Sequence, residues 1–497
     1  MPLLDIPTTK ERLDQMVVEG RHFIDGAHRG AVNGATYQRN RPMDGLPGPL
    51  IARGTAEDID AAVRAARRAF AAGSWSDLDP AERKVVMLRF AALIRENATE
   101  LAMLETLDTG RPIQAALSVD VASAANTIAW YAELADKQYD EVAPTGPNDL
   151  ATIRRMPLGV VGVITPWNYP LIVTAWKLGP ALAMGNSVVH KPAEQSSLSA
   201  IRLAQLGHEA GLPAGVLNVV AGFGAEAGDA LTRHMDVDLI AFTGSTPVGR
   251  LVMENAANSN IKRVALELGG KSPVVVFEDA DLDKAAEAVA WGFAYHAGQT
   301  CHAPTRLLCH ESQVEPLAAK IEKVLQDIPT GHPFDDASQV GAVIDEKQLQ
   351  RILGYVERAE AAGDKRLFGA QRIMEDSGGT YMSPGIFLTN NASEIAQEEV
   401  FGPVLAMIPF ATEAEALQMA NDTPYGLAAA VFTQDMSRAN RISNRLRAGT
   451  VWINTYDRAN MSTPFGGFKQ SGFGRDRSVH ALDKYADLKT VWHSFDG

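Results

Sequence analysis

The chain has 497 residues, 46% of them hydrophobic, enough for two or three domains with real cores. Its formal charge of −14 and pI near 5.3 argue against a nucleic-acid or anionic-membrane partner, which would need basic surface. Two cysteines, Cys301 and Cys309, exclude a disulfide framework, and without CxxC or HExxH spacing no metal is expected.

The N-terminal stretch has no basic segment followed by an apolar core, so a reducing cytoplasm is the expected compartment. Thr55-Ala-Glu-Asp58 opens a helix with apolar residues at Ile59, Val63, Ala66 and Phe70, a capping box followed by a helical stripe. Asp79-Pro80-Ala-Glu82 opens a second helix, expected to run to Gly110-Arg-Pro112. The turn-rich stretch 140–155 reads as a hairpin projecting from the body. The apolar region 156–190 is interrupted by Pro166, Asn168, Pro170, Lys177 and Pro180, which argues against a membrane span.

From residue 158 the pattern changes. The runs 160–165, 187–190, 216–220, 238–242 and 273–277 are β-branched and apolar on both faces, and helical stretches separate them. That alternation predicts a parallel sheet in a doubly wound α/β fold, with a second α/β lobe following 277.

Two features suggest a nucleotide. Phe242-Thr-Gly244-Ser245-Thr-Pro-Val-Gly249 leaves one of these strands and enters a helix, whose N-terminus can face a pyrophosphate. The spacing is not GxGxxG, and a turn containing two glycines accounts for it equally well. His190-Lys191-Pro192-Ala193-Glu194 leaves another strand at its C-terminal end, where a carboxylate can accept from a ribose diol and would repel a 2′-phosphate. A solvated Lys–Glu pair is the plainer reading.

Cys301, between Thr300 and His302 in GQTCHAP, is a possible nucleophile, since a thiolate is reachable at neutral pH. Glu267 sits in an apolar run ended by Gly269-Gly270, where burial would raise its pKa toward that of a general base. Asn168, in Thr165-Pro166-Trp167-Asn168-Tyr169-Pro170, lies on stiff backbone suited to an oxyanion donor. Each residue also has an ordinary structural reading: a small buried hydrophobe, a paired carboxylate and a helix cap.

Together, and in order, TPWNYP, KPAE, FTGSTPVG, LELGGKSP, GQTC, EEVFGPV and PFGGFKQSG strongly resemble the aldehyde dehydrogenase superfamily, with motifs from 165 to 472. The resemblance implies that Cys301 attacks the aldehyde carbon, that Asn168 holds the oxyanion, and that Glu267 activates the water hydrolysing the resulting thioester. Glu267 also favours a free acid over transfer to coenzyme A. The implied cofactor is NAD. Lys191 and Glu194 match its adenosine ribose contacts; Trp167, Ser245, Gly244 and Gly249 match the pyrophosphate turn. Glu399 and Phe401 match the nicotinamide end, and Thr165 and Leu268 belong to the same set. Cys309, in an apolar run, is expected to be structural.

Where many members of the family carry Glu in a proton relay, this chain has Asp476, matched with Lys177. Aspartate is one methylene shorter, so direct contact is left open, a bridging water is the alternative, and slower proton transfer is expected. Tyr169, Trp176, Tyr295, Tyr456 and Phe465 match the aldehyde tunnel and suggest an aromatic or medium-chain aliphatic aldehyde. A cation–π cage of Tyr169, Trp176 and Tyr456 is the alternative, opposed by Arg458 near the tunnel mouth, which has Asp457 as an alternative partner. The resemblance assigns 1–139 and 156–266 to an NAD-binding domain and 267–470 to a catalytic domain. It assigns 140–155 with 471–497 to an arm joining a homodimer or homotetramer.

Overall fold

The structure, a computed structural model, describes residues 5–495. Residues 1–4 and 496–497, the outer ends of the expected cofactor segment and arm, lie outside the described residues.

The capping box forms as expected. Thr55 N–H donates to Asp58 Oδ2 at 2.9 Å at the start of helix Ala56–Ala71, and Ile59, Val63 and Ala66 are buried while Phe70 is half-buried. The second helix is divided. Pro80–Glu96 and Ala98–Thr109 are separated at Asn97, whose side chain donates to the Leu93 carbonyl at 2.8 Å and competes with the helical ladder. Gly110, at φ +71°, ends the second piece in a left-handed cap.

Four of the five apolar runs form the expected parallel sheet. Its parallel strands lie in the order Leu217–Val219, Ser187–Lys191, Val160–Ile164, Leu239–Thr243, Arg263–Glu267. Chain order reverses between the third and fourth, which puts the ligand crevice of a doubly wound sheet beyond the C-terminal ends of those two strands. Antiparallel strands close both edges, among them Gly472–Phe473 beside Arg263–Glu267.

The fifth run belongs elsewhere. Pro273–Val276 pairs with Arg306–His310 and Ala428–Phe432 inside a seven-stranded sheet, so the change of sheet comes before 273 rather than after 277. Apart from Lys365–Phe368, this second sheet is parallel. The chain leaves the first sheet at Glu267 and enters the second at Pro273. The C-terminal edge of one therefore faces the N-terminal edge of the other.

The 140–155 stretch forms the hairpin Glu141–Ala143 with Asp149–Pro157, and the latter pairs along nine residues with Ala486–Ser494. No helix among the described residues is long and apolar enough to cross a membrane.

Asn186 joins several of these parts. Fully buried, it accepts from Gly159 N–H at 3.0 Å and donates to the carbonyls of Ala181 at 3.1 Å and Tyr485 at 2.9 Å. Asn186→Ala removes the side-chain partner of the Gly159 N–H and the Tyr485 carbonyl, while the Ala181 carbonyl keeps the residue 186 N–H. It is expected to destabilise the protein by about 3 kcal/mol, measured as a lower urea midpoint with unchanged slope.

Candidate active site

Where the two sheet edges meet lies a cavity of about 680 Å³. Cys301, Glu267 and Asn168 all line it, although 34 and 133 residues of chain separate Cys301 from the other two.

The cysteine loop is held by its neighbours. His296 and Ala297 take left-handed conformations at φ +52°, and Gly298 follows at φ +69°. A side chain at Gly298 would overlap the backbone of Gly402 and Pro403. Gln299 accepts from Ile344 N–H at 2.8 Å and donates to the His296 carbonyl at 3.0 Å. Asn168 Nδ2 donates to the Gln299 carbonyl at 2.8 Å, and the Asn168 carbonyl lies 2.7 Å from His296 Nε2. The amide and the thiol loop are thus tied together, and the second Nδ2 hydrogen remains to be directed at a ligand. Burial, with the Arg111 charge nearby, holds His296 well below the ordinary imidazole range, so its ring is neutral.

Glu267 ends its strand 5% exposed, and neither carboxylate oxygen has a hydrogen-bond partner among the described residues. Burial, reinforced by the Asp476 charge, pushes the carboxyl well above its ordinary range despite Lys177 and Lys484. The residues expected to face a nucleotide have their own features. Gly244 and Ser245 line the cavity, and Ser245 caps helix Thr246–Ala257 without using its side chain to do so. Gly249 lies against Leu268, whose side chain a Cβ would meet at 2.7 Å. Trp167 and Phe401 line the wall edge to face with centroids 5.2 Å apart. Glu399 accepts from Gly270 N–H at 3.0 Å, and burial pushes its carboxyl up to about 7.

The aldehyde dehydrogenase family model matches residues 31–491. The NADP/NAD-dependent aldehyde dehydrogenase PuuC of Escherichia coli is 50% identical over 484 residues, 97% of each chain. The chain belongs to the aldehyde dehydrogenase family. The crystal structure of the aldehyde dehydrogenase KauB from Pseudomonas aeruginosa superposes with a TM-score of 0.97 at 49% identity, covering 99% of this chain and 100% of that one. A variant of the P. syringae indole-3-acetaldehyde dehydrogenase AldA, in complex with NAD+ and IAA, gives the same TM-score and coverage at 48% identity.

In this aldehyde dehydrogenase Asp476, although one methylene shorter than Glu, makes direct contact with Lys177. Lys177 Nζ lies 2.6 Å from Asp476 Oδ2, and Lys484 pairs with the other oxygen. Backbone hydrogen bonds of 2.8 Å in both directions between Phe465 and Asp476 set the depth at which the shorter side chain reaches. Burial acts against the Asp476 carboxylate, but Lys177 and Lys484 outweigh it and hold the group below its ordinary range. Thr165 Oγ1 lies 2.8 Å from His190 Nε2, and Lys191 lies 3.4 Å from Glu194; this buried lysine and half-buried glutamate do not line the cavity. Cys309 is buried in its strand, as expected.

Of the expected tunnel residues, Tyr169, Trp176, Tyr295 and Phe465 line the cavity; Tyr456 and Arg458 do not. Tyr456 is drawn aside by its hydroxyl, which donates to the His302 carbonyl, and by its ring against Trp452, centroids 4.7 Å apart. Arg458 is exposed, and Asp457 faces His302 rather than Arg458, 2.9 Å from Nε2. The cage of Tyr169, Trp176 and Tyr456 is therefore not assembled.

Sequence reasoning missed three side chains here. Arg477, one residue past the relay aspartate, lines the cavity with its guanidinium over Trp176 at 5.4 Å and Phe465 at 5.2 Å. Arg111 lies behind the wall, 4.8 Å from the rings of both Tyr169 and Tyr295 and 3.2 Å from Asp120. His302 directly follows the cysteine, which was a visible signal; Arg111 and Arg477 had none beyond their type.

Asp476→Asn leaves two buried ammonium groups without their counter-charge and is expected to cost about 3–5 kcal/mol, read by chemical denaturation. The buried histidine beside Thr165 gives a pH test. Burial and the Lys191 charge push His190 down to about 3, whereas an unfolded imidazole titrates near 6.5. The unfolded chain therefore takes up the proton first, and stability present above pH 6.5 is lost as pH falls toward 3. Between pH 7 and pH 5, His190→Gln should remove about 2 kcal/mol from the loss seen in the parent protein.

Proposed function

We propose that this enzyme oxidises an aldehyde to its carboxylic acid with NAD, through a covalent thioester on Cys301. The observation that carries this reading is that Cys301, Glu267 and Asn168 share one cavity with Gly244, Ser245 and Glu399.

NAD fits the residues present. The N-terminus at Ser245, with no side-chain cap, suits a pyrophosphate, and the Thr243 hydroxyl beside it is buried without a partner among the described residues. A side chain at Gly269 would occupy the place of the Glu399 carboxylate, so bare backbone keeps that group on the wall. Lys191 with Glu194 would take the adenosine ribose, Glu399 and Phe401 the nicotinamide end. When bound, NAD supplies the hydride acceptor. The chain's own groups do the rest. The Cys301 sulfur adds to the carbonyl carbon, and Asn168 Nδ2 with the Cys301 N–H holds the oxygen that gains charge. After oxidation, Glu267 takes a proton from the water that attacks the thioester, and the acid leaves as sulfur regains its electron pair. Segments 1–139 with 156–266 supply the cofactor side and 267–470 the thiol side.

The substrate is a bulky aromatic or medium-chain aliphatic aldehyde. Trp176, Tyr169, Tyr295 and Phe465 offer apolar faces. Arg477 adds positive charge to the wall, which opposes a quaternary ammonium. Two of the nearby acids are already matched, Asp457 with His302 and Asp476 with two lysines, and a third, Glu267, is held neutral by burial. The hairpin and strand Ala486–Ser494 form the arm of a homodimer or homotetramer, supported by Leu488 and Trp492, exposed on a strand with one neighbour.

NADH absorbance with hexanal, benzaldehyde, betaine aldehyde and succinic semialdehyde tests the reading. Hexanal and benzaldehyde should be turned over best, and Cys301→Ala should lose NADH formation by about a thousandfold or more. Glu267→Gln should keep a first-turnover burst while slowing acid release about a hundredfold. In the parent enzyme that release should accelerate as pH rises above the ordinary carboxylate range, because only the ionised Glu267 accepts a proton. NADH formation that survives loss of Cys301 would defeat the covalent route; a preference for betaine aldehyde would defeat the substrate class.

A further inference from the structure

Cys301 has a titratable neighbour within contact distance. Its Sγ lies 3.7 Å from His302 Nδ1, and the other nitrogen of that ring lies 2.9 Å from Asp457 Oδ1. A thiol, an imidazole and a carboxylate stand in line, the arrangement in which a nucleophile meets a base and the base is oriented by a third group.

The ring is fixed from several sides. Tyr456 donates to the His302 carbonyl, and the ring meets Phe465 edge to face at 5.6 Å and Trp452 at 6.2 Å. Asp457 is held at φ +56°, in the left-handed region that non-glycine residues seldom occupy, and that conformation points its side chain at the cavity rather than at Arg458. The other charged or titratable groups facing this corner are Glu267, Asp476, Arg477, Tyr169 and Tyr295 on the cavity wall and Tyr456 behind the loop.

We propose that His302, oriented by Asp457, is the catalytic base that takes the Cys301 thiol proton, and that it then stands beside the sulfur as an imidazolium. The inference rests on Cys301 being the nucleophile. The S–H proton passes to Nδ1, leaving a thiolate and a cation whose Nε2–H donates to Asp457. The sulfur pair forms the C–S bond, and the carbonyl π pair moves to the oxygen facing Asn168. When water later displaces the sulfur, Glu267 takes the water proton, and the C–S bond breaks with its electron pair returning to sulfur beside the same imidazolium. Asp457 acts through His302 and is a positioning residue.

The division of labour follows from the surroundings of the two bases. Glu267 has no hydrogen-bond partner among the described residues and is kept neutral by burial and Asp476, so in the resting enzyme it is poorly placed to receive the thiol proton. Burial works against a charged His302, but the Asp457 carboxylate and the hydrogen bonds to Asp457 and Cys301 outweigh it and push the ring up to about 10. This matches the electropositive, partly open surroundings in which reactive cysteines are found.

The test is the rate of Cys301 alkylation by iodoacetamide between pH 5 and pH 10. It is read on the Cys301 peptide by mass spectrometry, with the full chain and no NAD or aldehyde. The parent enzyme should stay reactive to below pH 7. His302→Ala and His302→Gln should move the midpoint up by about one pH unit or more and slow alkylation at pH 6.5 about tenfold, with Asp457→Asn between them. Thiolate absorbance near 240 nm in the unmutated enzyme should persist below pH 7, a readout that needs no variant to fold. Superimposable profiles for both His302 variants, or absence of the thiolate signal below pH 7, would overturn the proposal. So would a shift in Glu267→Gln with none in His302→Gln. Because no oxidation is measured, any of these results would leave the assignment of Cys301 as nucleophile standing.

Discussion

No side chain fits at Gly269 or Gly270, and the active site depends on that. A Cβ at Gly270 would stand 2.6 Å from the Cys301 carbonyl oxygen, and one at Gly269 would displace the Glu399 carboxylate. The same short link is clamped by Ser471, whose carbonyl accepts from Leu268 N–H at 3.0 Å and whose hydroxyl donates to the Gly269 carbonyl at 2.7 Å. Two sheets are thereby brought edge to edge at backbone distance. Glu267 from the first, the cysteine loop of the second and Glu399 beyond it converge on one cavity because nothing bulkier than hydrogen lies between them.

That closeness forces charge into a dry space, and the enzyme handles it in two ways. Asp476 is flanked by Lys177 and Lys484, so its ionised form is held by paired charge. Glu267, on the same cavity wall, feels both the Asp476 charge and the two lysines, but burial and the aspartate outweigh the lysines and hold its carboxyl well above the ordinary range. The two carboxyls are thus shifted in opposite directions, set apart by their partners rather than by residue type. The aromatic wall follows the same logic. Tyr169 and Tyr295 stand in place because a buried Arg111 lies against both rings and is matched by Asp120.

Much of this was legible in the chain. The capping box at Thr55 and the four β-branched runs that became parallel strands were visible because each depends on neighbours within a few residues. The fifth run, 273–277, has the same composition as the other four, and no local signal could say that it pairs in another sheet. The break at Asn97 was missed because one asparagine inside a long helical pattern is tolerated as often as it interrupts. Tyr456 and Arg458 were assigned to the tunnel by motif position, yet both lie off the cavity. Their direction depends on the His302 carbonyl and on the left-handed turn at Asp457, and neither can be read locally.

Periodicity, capping and glycine placement are consequences of covalent geometry and act over a turn or a strand; from them came the α/β class and the parallel sheet, while the roles expected of Cys301, Glu267 and Asn168 came from the family resemblance of their motifs. Which groups meet is a matter of how two sheet edges pack. The contact of Asp476 with Lys177 across 299 residues, and of His302 with Asp457 across 155, arises from that packing. Burial then decides protonation, since the cost of a charge depends on the water and partners around it, and those exist only once the chain has folded.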